Sequence, residues 1–329
     1  MTLPALQAGW IRAILGDVDL AVERAATCDT CSMCGEAAPP GGAFDPTTKC
    51  CTYVPALPNF LAGAILAATG PGSLSARLGL RARMADPRAL TPHGVDPTPD
   101  EKSRYAALVA ADRFGRDASL RCPHHLPDGG CGIWRHRNAT CATWFCRHTR
   151  GATGERFWEA LGRALTAIEL ELCHHLAREI LDDTPATPVD DPEALPEWES
   201  WRGREEAYYR RAAARVAAMT PADVLAIAEP GAAEAIAGLR AAYAAWVDEP
   251  AIDRLVVGTF REVERRGGEA RLLGYSEIDV VHAPAGLVDR LGRFDGRPTA
   301  AVADELAQEG VEVDPATLRR LVDFGVLVP

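Results

Sequence analysis

The stretch "ERFWEALGRALTAIELELCHHLAREIL", residues 155–181, places Phe157, Leu161, Leu165, Ile168, Leu172, Leu176 and Ile180 three or four positions apart. That period gathers them on one stripe of a long α-helix, and such a stripe must be buried against other helices. The reading that follows is a mainly α fold. Working outward, residues 201–219 read as another helix. "TPADVLAIA" opens a further one, with Thr220 as N-cap, Pro221 at the first helical position and Asp223 in the first turn. Residues 232–247 read as a separate helix after Pro230 and Gly231. Near the start of the chain, Ile11, Ile14, Leu15, Val18 and Val22 form an amphipathic helical stripe, and a helix is expected to begin near Asn59 as its N-cap.

The 329 residues are enough for about two domains. Residues 183–199, "DTPATPVDDPEALPEWE", are rich in Pro, Asp and Glu and lack an apolar period, which predicts a linker. The expected division is a helical cysteine-rich domain over 1–182, this linker, and a helical domain over 200–329. Residues 84–102, with four prolines, read as a long loop inside the first domain. From residue 274 the pattern runs strand, helix, turn, helix, helix, strand. The turn falls at Phe294-Asp295-Gly296, Asp314-Pro315 caps the last helix, and Gly325 ends it. Leu287, Leu291, Val302, Leu306, Leu318, Leu321 and Val322 are its expected core. This stretch, about 270–329, resembles winged-helix-like modules, among them the PqqD-like peptide-binding modules, which implies a protein or peptide partner for the C-terminal domain.

Hydrophobic residues make up 47% and charged residues 25%, a soluble globular composition, and no apolar run reaches the length of a membrane span. The net charge of −11 opposes a nucleic-acid surface, which would be basic. The first residues lack a basic segment followed by an apolar core and a cleavage site, so a cytoplasmic location is expected. In a reducing cytoplasm, ten cysteines point to metal or redox chemistry rather than a disulfide framework.

The cysteines are blocked. Cys28, Cys31, Cys34, Cys50 and Cys51 come early, Cys122, Cys131, Cys141 and Cys146 later, and Cys173 stands on the long helix. Thiolates are the ligands of iron–sulfur clusters and of structural zinc, and a C-x2-C pair lets two sulfurs reach one metal. The vicinal Cys50 and Cys51 are expected to diverge toward different metals or different faces of one cluster. A four-thiolate centre carries net negative charge and needs cations or N–H donors nearby. Residues 121–150 hold five arginines against one aspartate, and Arg135, Arg137 and Arg147 are the expected supports. His124, His125, His136 and His148 read as hydrogen-bonding neighbours, Cys173 as a buried helical thiol, and Trp134, Trp144 and Phe145 as a screen against water.

In order and spacing these residues resemble the YkgJ-like zinc- or iron-chelating cysteine-cluster family. Cys31, Cys34, Cys50 and Cys51 fall on its early motif. Cys122 with Leu126, Cys131-Gly132-Ile133-Trp134, Arg137, Cys141 and Cys146 fall on its later one. The early motif is interrupted here by "EAAPPGGAFDPTT", Arg137 is followed by Asn138 rather than proline, and Cys28 is additional. The resemblance covers residues 28–146 and implies a Cys-ligated metal centre, an iron–sulfur cluster ahead of zinc. Proteins similar to this family, such as flagellin lysine N-methylases, join a cysteine cluster to methyl transfer, so a modifying enzyme is the alternative, with a structural zinc protein as a third reading. No nucleotide-binding loop, dinucleotide fingerprint, H-E-x-x-H or G-x-S-x-G motif is present.

Overall fold

The computed structural model describes residues 3–18, 20, 31, 33–34, 43–186 and 196–329. Helix α1 (Ala5–Leu15) stops at Gly16, whose φ of +87° is open to a residue without Cβ. The expected stripe is therefore cut short: Val18 follows the helix, and Val22 lies outside the described residues. Strand β1 (Leu57–Pro58) leads into α2 (Asn59–Ala67) and α3 (Ser73–Met84). The expected loop at 84–102 holds two short strands, β2 (Leu90–Thr91) and β3 (Gly94–Val95), which join β1 in an antiparallel sheet of order β1-β3-β2. Helix α4 (Pro99–Ala110) follows, opened by a capping box between Thr98 and Glu101.

Next come α5 (Ala139–Thr143), the long α6 (Gly151–Asp182), the single turn α7 (Pro196–Glu199), α8 (Glu205–Ala218) and α9 (Pro221–Val247). Thr220 caps α9 with Asp223, as expected. The helix then runs unbroken through Pro230, where two helices were expected. Proline removes one i→i−4 hydrogen bond, and burial of Val224, Ala228, Ala232, Ile236 and Leu239 on one side keeps α9 continuous.

The apolar stripe of α6 is buried as its period demands, in a core that also takes Trp10 of α1, Phe60 and Ile65 of α2, Tyr208 and Tyr209 of α8, and Leu239 and Trp246 of α9. This core spans both sides of the 183–199 segment, so the hydrophobic division of the chain falls after α9 instead. The acidic, proline-rich composition reports only local chain preference, while the apolar faces of α8 and α9 still need α2 and α6 to cover them. Helices α2 and α8 approach so closely that a Cβ on Gly63 would stand 1.8 Å from the Tyr209 carbonyl oxygen. Asn59 is not a cap. Its buried side chain donates to the Pro92 and Cys173 carbonyls at 3.0 and 2.9 Å, tying α2 to the β2–β3 turn and to α6.

The second core belongs to residues 255–327. Strand β4 (Arg254–Val257) pairs with β8 (Asp295–Pro298) and β9 (Leu327–Val328). A second sheet has the order β5 (Arg261–Arg266), β6 (Glu269–Leu273), β7 (Val281–Pro284). Helices α10 (Ala285–Val288), α11 (Thr299–Gln308) and α12 (Pro315–Asp323) complete it. Phe294-Asp295-Gly296 leads into strand β8 rather than standing as a free turn. Leu287, Leu291, Val302, Leu306, Leu318 and Leu321 are buried and Val322 packs against them. Arg150, just before α6, binds Asp323 of α12 through two hydrogen bonds of 3.0 and 2.9 Å, which joins the two cores. Among the described residues no helix is long and apolar enough to cross a membrane.

Candidate metal centre

The early thiols sit on turns. The Cys34 N–H donates to the Cys31 carbonyl at 3.1 Å, so the C-x2-C pair lies on one turn and its two thiols share a hydrogen bond. Burial and then the Cys31 thiol push Cys34 up to about 11. Asp45 organises the next turn. Its carboxylate accepts from the Thr47 N–H at 2.7 Å and its carbonyl from the Lys49 N–H at 2.7 Å, and Lys49 takes a left-handed φ of +54°. That turn delivers Cys50 and Cys51. Their side chains do not diverge as expected: the Cys50 thiol hydrogen-bonds with Cys51, which together with burial raises it far above the ordinary thiol value.

One backbone bond links the early and later blocks, from the Cys122 N–H to the Cys51 carbonyl at 2.8 Å. After Cys122 the chain makes a small hairpin. His125 and Cys131 form an antiparallel bridge, the Gly132 N–H donates to the His124 carbonyl, and the Asp128 carboxylate receives the Gly130 N–H at the tip. The hairpin sets Cys131 beside Cys122. Asn138 then caps α5, its side-chain oxygen accepting the Cys141 N–H at 3.0 Å, while its amide donates to the Ala56 carbonyl.

Cys122, Cys131 and Cys141 are mutual electrostatic neighbours, and Cys141 also feels Cys50. Cys34 feels Cys50 in turn. Burial pushes Cys122 up to about 11 and Cys141 up to about 12, and raises Cys131. These are protonated, half-buried thiols. The nine described cysteines are all free, and Cys28 lies outside the described residues. Among the described residues, no three His, Cys, Asp or Glu side chains stand ready-made around a metal.

Two buried guanidiniums face this group. Arg137 lies 3.6 Å over the Trp134 ring and donates to the Trp134 and Cys141 carbonyls, both at 3.1 Å. Burial lowers its pKa, and the charges that favour its cation are Cys131 and Cys141. Arg83, from α3, is likewise lowered by burial, and Cys122 is the strongest charge opposing that shift, ahead of Glu101 and Asp96. Among the described residues no carboxylate forms an ion pair with Arg83. Arg83 lies outside the basic run and nothing in its local pattern marks it. Of the other arginines expected as supports, Arg135 is exposed and Arg147 is half-buried.

His125 and His148 are engaged through Nδ1, and His124 only through Nε2, its buried Nδ1 having no hydrogen-bond partner among the described residues. His124 Nε2 lies 3.4 Å from the Arg83 guanidinium, and burial drives that ring down to about 3. Arg121 donates to His125 Nδ1, and His148 Nδ1 faces the Tyr275 hydroxyl at 3.2 Å. Sulfur makes up most of the donor set among the described residues. Cys173 is apart, its thiol donating to the Leu170 carbonyl at 3.1 Å within α6. Cys146 opens onto a cavity bordered by the C-terminal unit. Phe145 is buried, but Trp134 and Trp144 are exposed and do not form the expected screen.

Glu169 anchors the later block. Fully buried on α6, it accepts the Ala139 N–H of α5 at 3.0 Å and the Gln7 side-chain amide at 2.7 Å, and Gln7 also donates to the Arg137 carbonyl. A carboxylate one turn from Leu165 and Cys173, on the buried side of the helix, was the sequence signal for it. Comparison with protein-family models, with curated proteins and with solved structures found no match.

Proposed function

We propose that this protein carries a Cys-ligated metal centre, an iron–sulfur cluster ahead of zinc, held by cysteines of the two blocks. The observation that carries the reading is the gathering of Cys50, Cys122, Cys131 and Cys141 beside two buried arginines. A buried cation is favoured by negative charge beside it, and Cys122 for Arg83, with Cys131 and Cys141 for Arg137, would supply such charge when a metal displaces their protons. Four thiolates around Zn²⁺, or around a [4Fe–4S]²⁺ core, would leave a net charge of about −2, which these guanidiniums match. A donor set made mostly of sulfur suits either metal and disfavours harder ions. Cys31, Cys34 and Cys51, held close by the turns and the Cys51–Cys122 bond, supply the remaining ligands, and Cys28 and Cys146 stand as further candidates. The resemblance to the YkgJ-like family supports the same reading. Residues 270–329 are read as a winged-helix-like module through which the C-terminal domain docks a protein or peptide partner, and the exposed edge strand β5, just before the module, offers a backbone edge for such a partner.

Purification without oxygen, followed by a visible spectrum and assays of iron, sulfide and zinc, tests the reading. A brown protein with acid-labile sulfide supports the cluster, and a colourless one with stoichiometric zinc assigns zinc. A folded protein holding neither overturns the proposal.

A further inference from the structure

A cavity of about 550 Å³ opens between the cysteine-bearing unit and the C-terminal unit. That size is ordinary for a small-molecule site. One wall is aromatic. Phe44 and Phe114 meet edge to face at 5.8 Å, Phe114 and Trp144 lie 6.1 Å apart at 60°, and Phe145 continues the surface. Tyr275 stands across from them on the segment after β6.

Among the described residues the lining carries more acid than base: Asp112, Glu155 and Glu277 contribute carboxylates, and Arg116, which also binds Asp112 at 3.0 Å, contributes a guanidinium. Behind Tyr275 lies a fourth carboxylate, Asp279, almost fully buried. It accepts the His148 N–H at 2.8 Å and the Tyr275 hydroxyl. Among the described residues, no ion pair compensates Glu155, Glu277 or Asp279. Burial first, and then Glu159 and Asp279 against Arg156, push the Glu155 carboxyl up.

We infer that this cavity binds a small free organic cation, an alkylammonium whose methyl or methylene groups pack on the Phe114, Trp144 and Phe145 rings while its charge faces Glu155 and Glu277. Ring faces and carboxylates favour the same kind of guest. A π-face attracts a cation and accepts its apolar shell, whereas an inorganic cation would waste the rings and a neutral apolar guest would waste the acids. Cys146, a further candidate ligand, borders the same cavity, but Phe114, Trp144, Glu155 and Glu277 are not ligands, so a failure of metal binding leaves this inference standing.

Calorimetric titration of the full-length protein as purified tests it. The probes are choline, its neutral isostere 3,3-dimethylbutan-1-ol, and phosphocholine. Choline is expected to saturate one site and to bind about tenfold more tightly than the alcohol, the size of a desolvated cation–π contact with added charge. Phosphocholine, with its anionic phosphate against the carboxylates, should bind more weakly than choline. Glu277→Gln and Trp144→Leu, both at exposed positions, should each weaken choline several-fold while leaving the thermal transition in place. Equal binding of choline and the alcohol, phosphocholine binding as tightly as choline, or no heat from choline at millimolar concentration would each overturn the inference.

Discussion

Glu169, in the middle of the longest helix, accepts a 3.0 Å hydrogen bond from the N–H of Ala139, the first residue of the short helix that carries Cys141. A wholly buried carboxyl thereby fixes where the later cysteine block begins. Burial raises Glu169 from 4.5 to about 7, with the Ala139 and Gln7 hydrogen bonds pulling the other way. The folded-state value is the higher one, so the folded chain holds this proton where the unfolded chain has lost it. Stability contributed by the neutral form is complete below about 4.5 and is lost as pH rises through about 7. The loss is on the order of 3 kcal/mol. Glu169→Gln removes the titration. Urea unfolding at pH 5 and pH 8 should therefore show the stability of the native chain, relative to Glu169→Gln, falling by about that amount. A constant difference at the two pH values would mean that Glu169 stays ionised.

The α2–α8 crossing depends on a missing side chain. A Cβ at Gly63 would lie 1.8 Å from a backbone oxygen of Tyr209 and 2.8 Å from the Ala213 Cβ. Neither helix can yield by rotating a side chain. Tyr208 and Tyr209 also hold the β2–β3 turn through hydrogen bonds to the Pro92, Thr91 and Gly94 carbonyls. Gly63→Ala gains helix propensity of about 1 kcal/mol yet should destabilise by about 3 kcal/mol overall, at the upper end of overpacking costs. Thermal unfolding reads this directly, and a variant as stable as the parent would show that the helices separate freely.

The elements that could be read from the sequence are those whose pattern is local. The α6 stripe, the Thr220 and Asp314 caps and the core leucines of the last sixty or so residues each follow from period or from one side chain beside one N–H. What was hidden depended on partners far along the chain. Asn59 resembles a cap until Pro92 and Cys173 claim its amide, and Pro230 resembles a break until packing on α6 keeps α9 continuous through it. The acidic 183–199 stretch read as a domain linker because composition reports local order, not which helices share a core. The β5–β6 hairpin escaped notice because β5 is wholly exposed and mostly charged, with no alternating apolar face. In the candidate centre, the cysteines and Arg137 were visible in their spacing, whereas Arg83 reaches Cys122 only through the fold.

Arg137 and Arg83 should matter to metal retention more than to folding. Arg137 is stacked on Trp134 and its planar fork reaches two carbonyls, which lysine cannot reproduce. Arg137→Lys keeps a charge but loses that geometry, and Arg83→Met removes a charge beside Cys122. Loss of such supporting groups costs about 10- to 100-fold in metal affinity. Competition with a chelator should show both variants releasing metal at correspondingly lower chelator concentration, while exposed Arg135→Lys behaves as the parent.

The thiols themselves give the sharpest test. Cys141→Ser and Cys122→Ser each remove a sulfur at the point where both blocks meet, and each should abolish stoichiometric metal. Cys173→Ser, whose thiol is engaged with the Leu170 carbonyl inside α6, should retain it. The pH dependence follows from the raised thiols. Burial holds Cys122 near 11 and Cys141 near 12, so at neutral pH each bound metal must displace protons. Metal affinity should rise steadily with pH from 6 to 9, with protons released to the buffer on loading. Titration of zinc into the reduced chain, followed with a pH indicator at low buffer capacity, measures both. Loss of metal in Cys173→Ser equal to that in Cys141→Ser, or binding without proton release, would remove the buried sulfur cluster from consideration as the site.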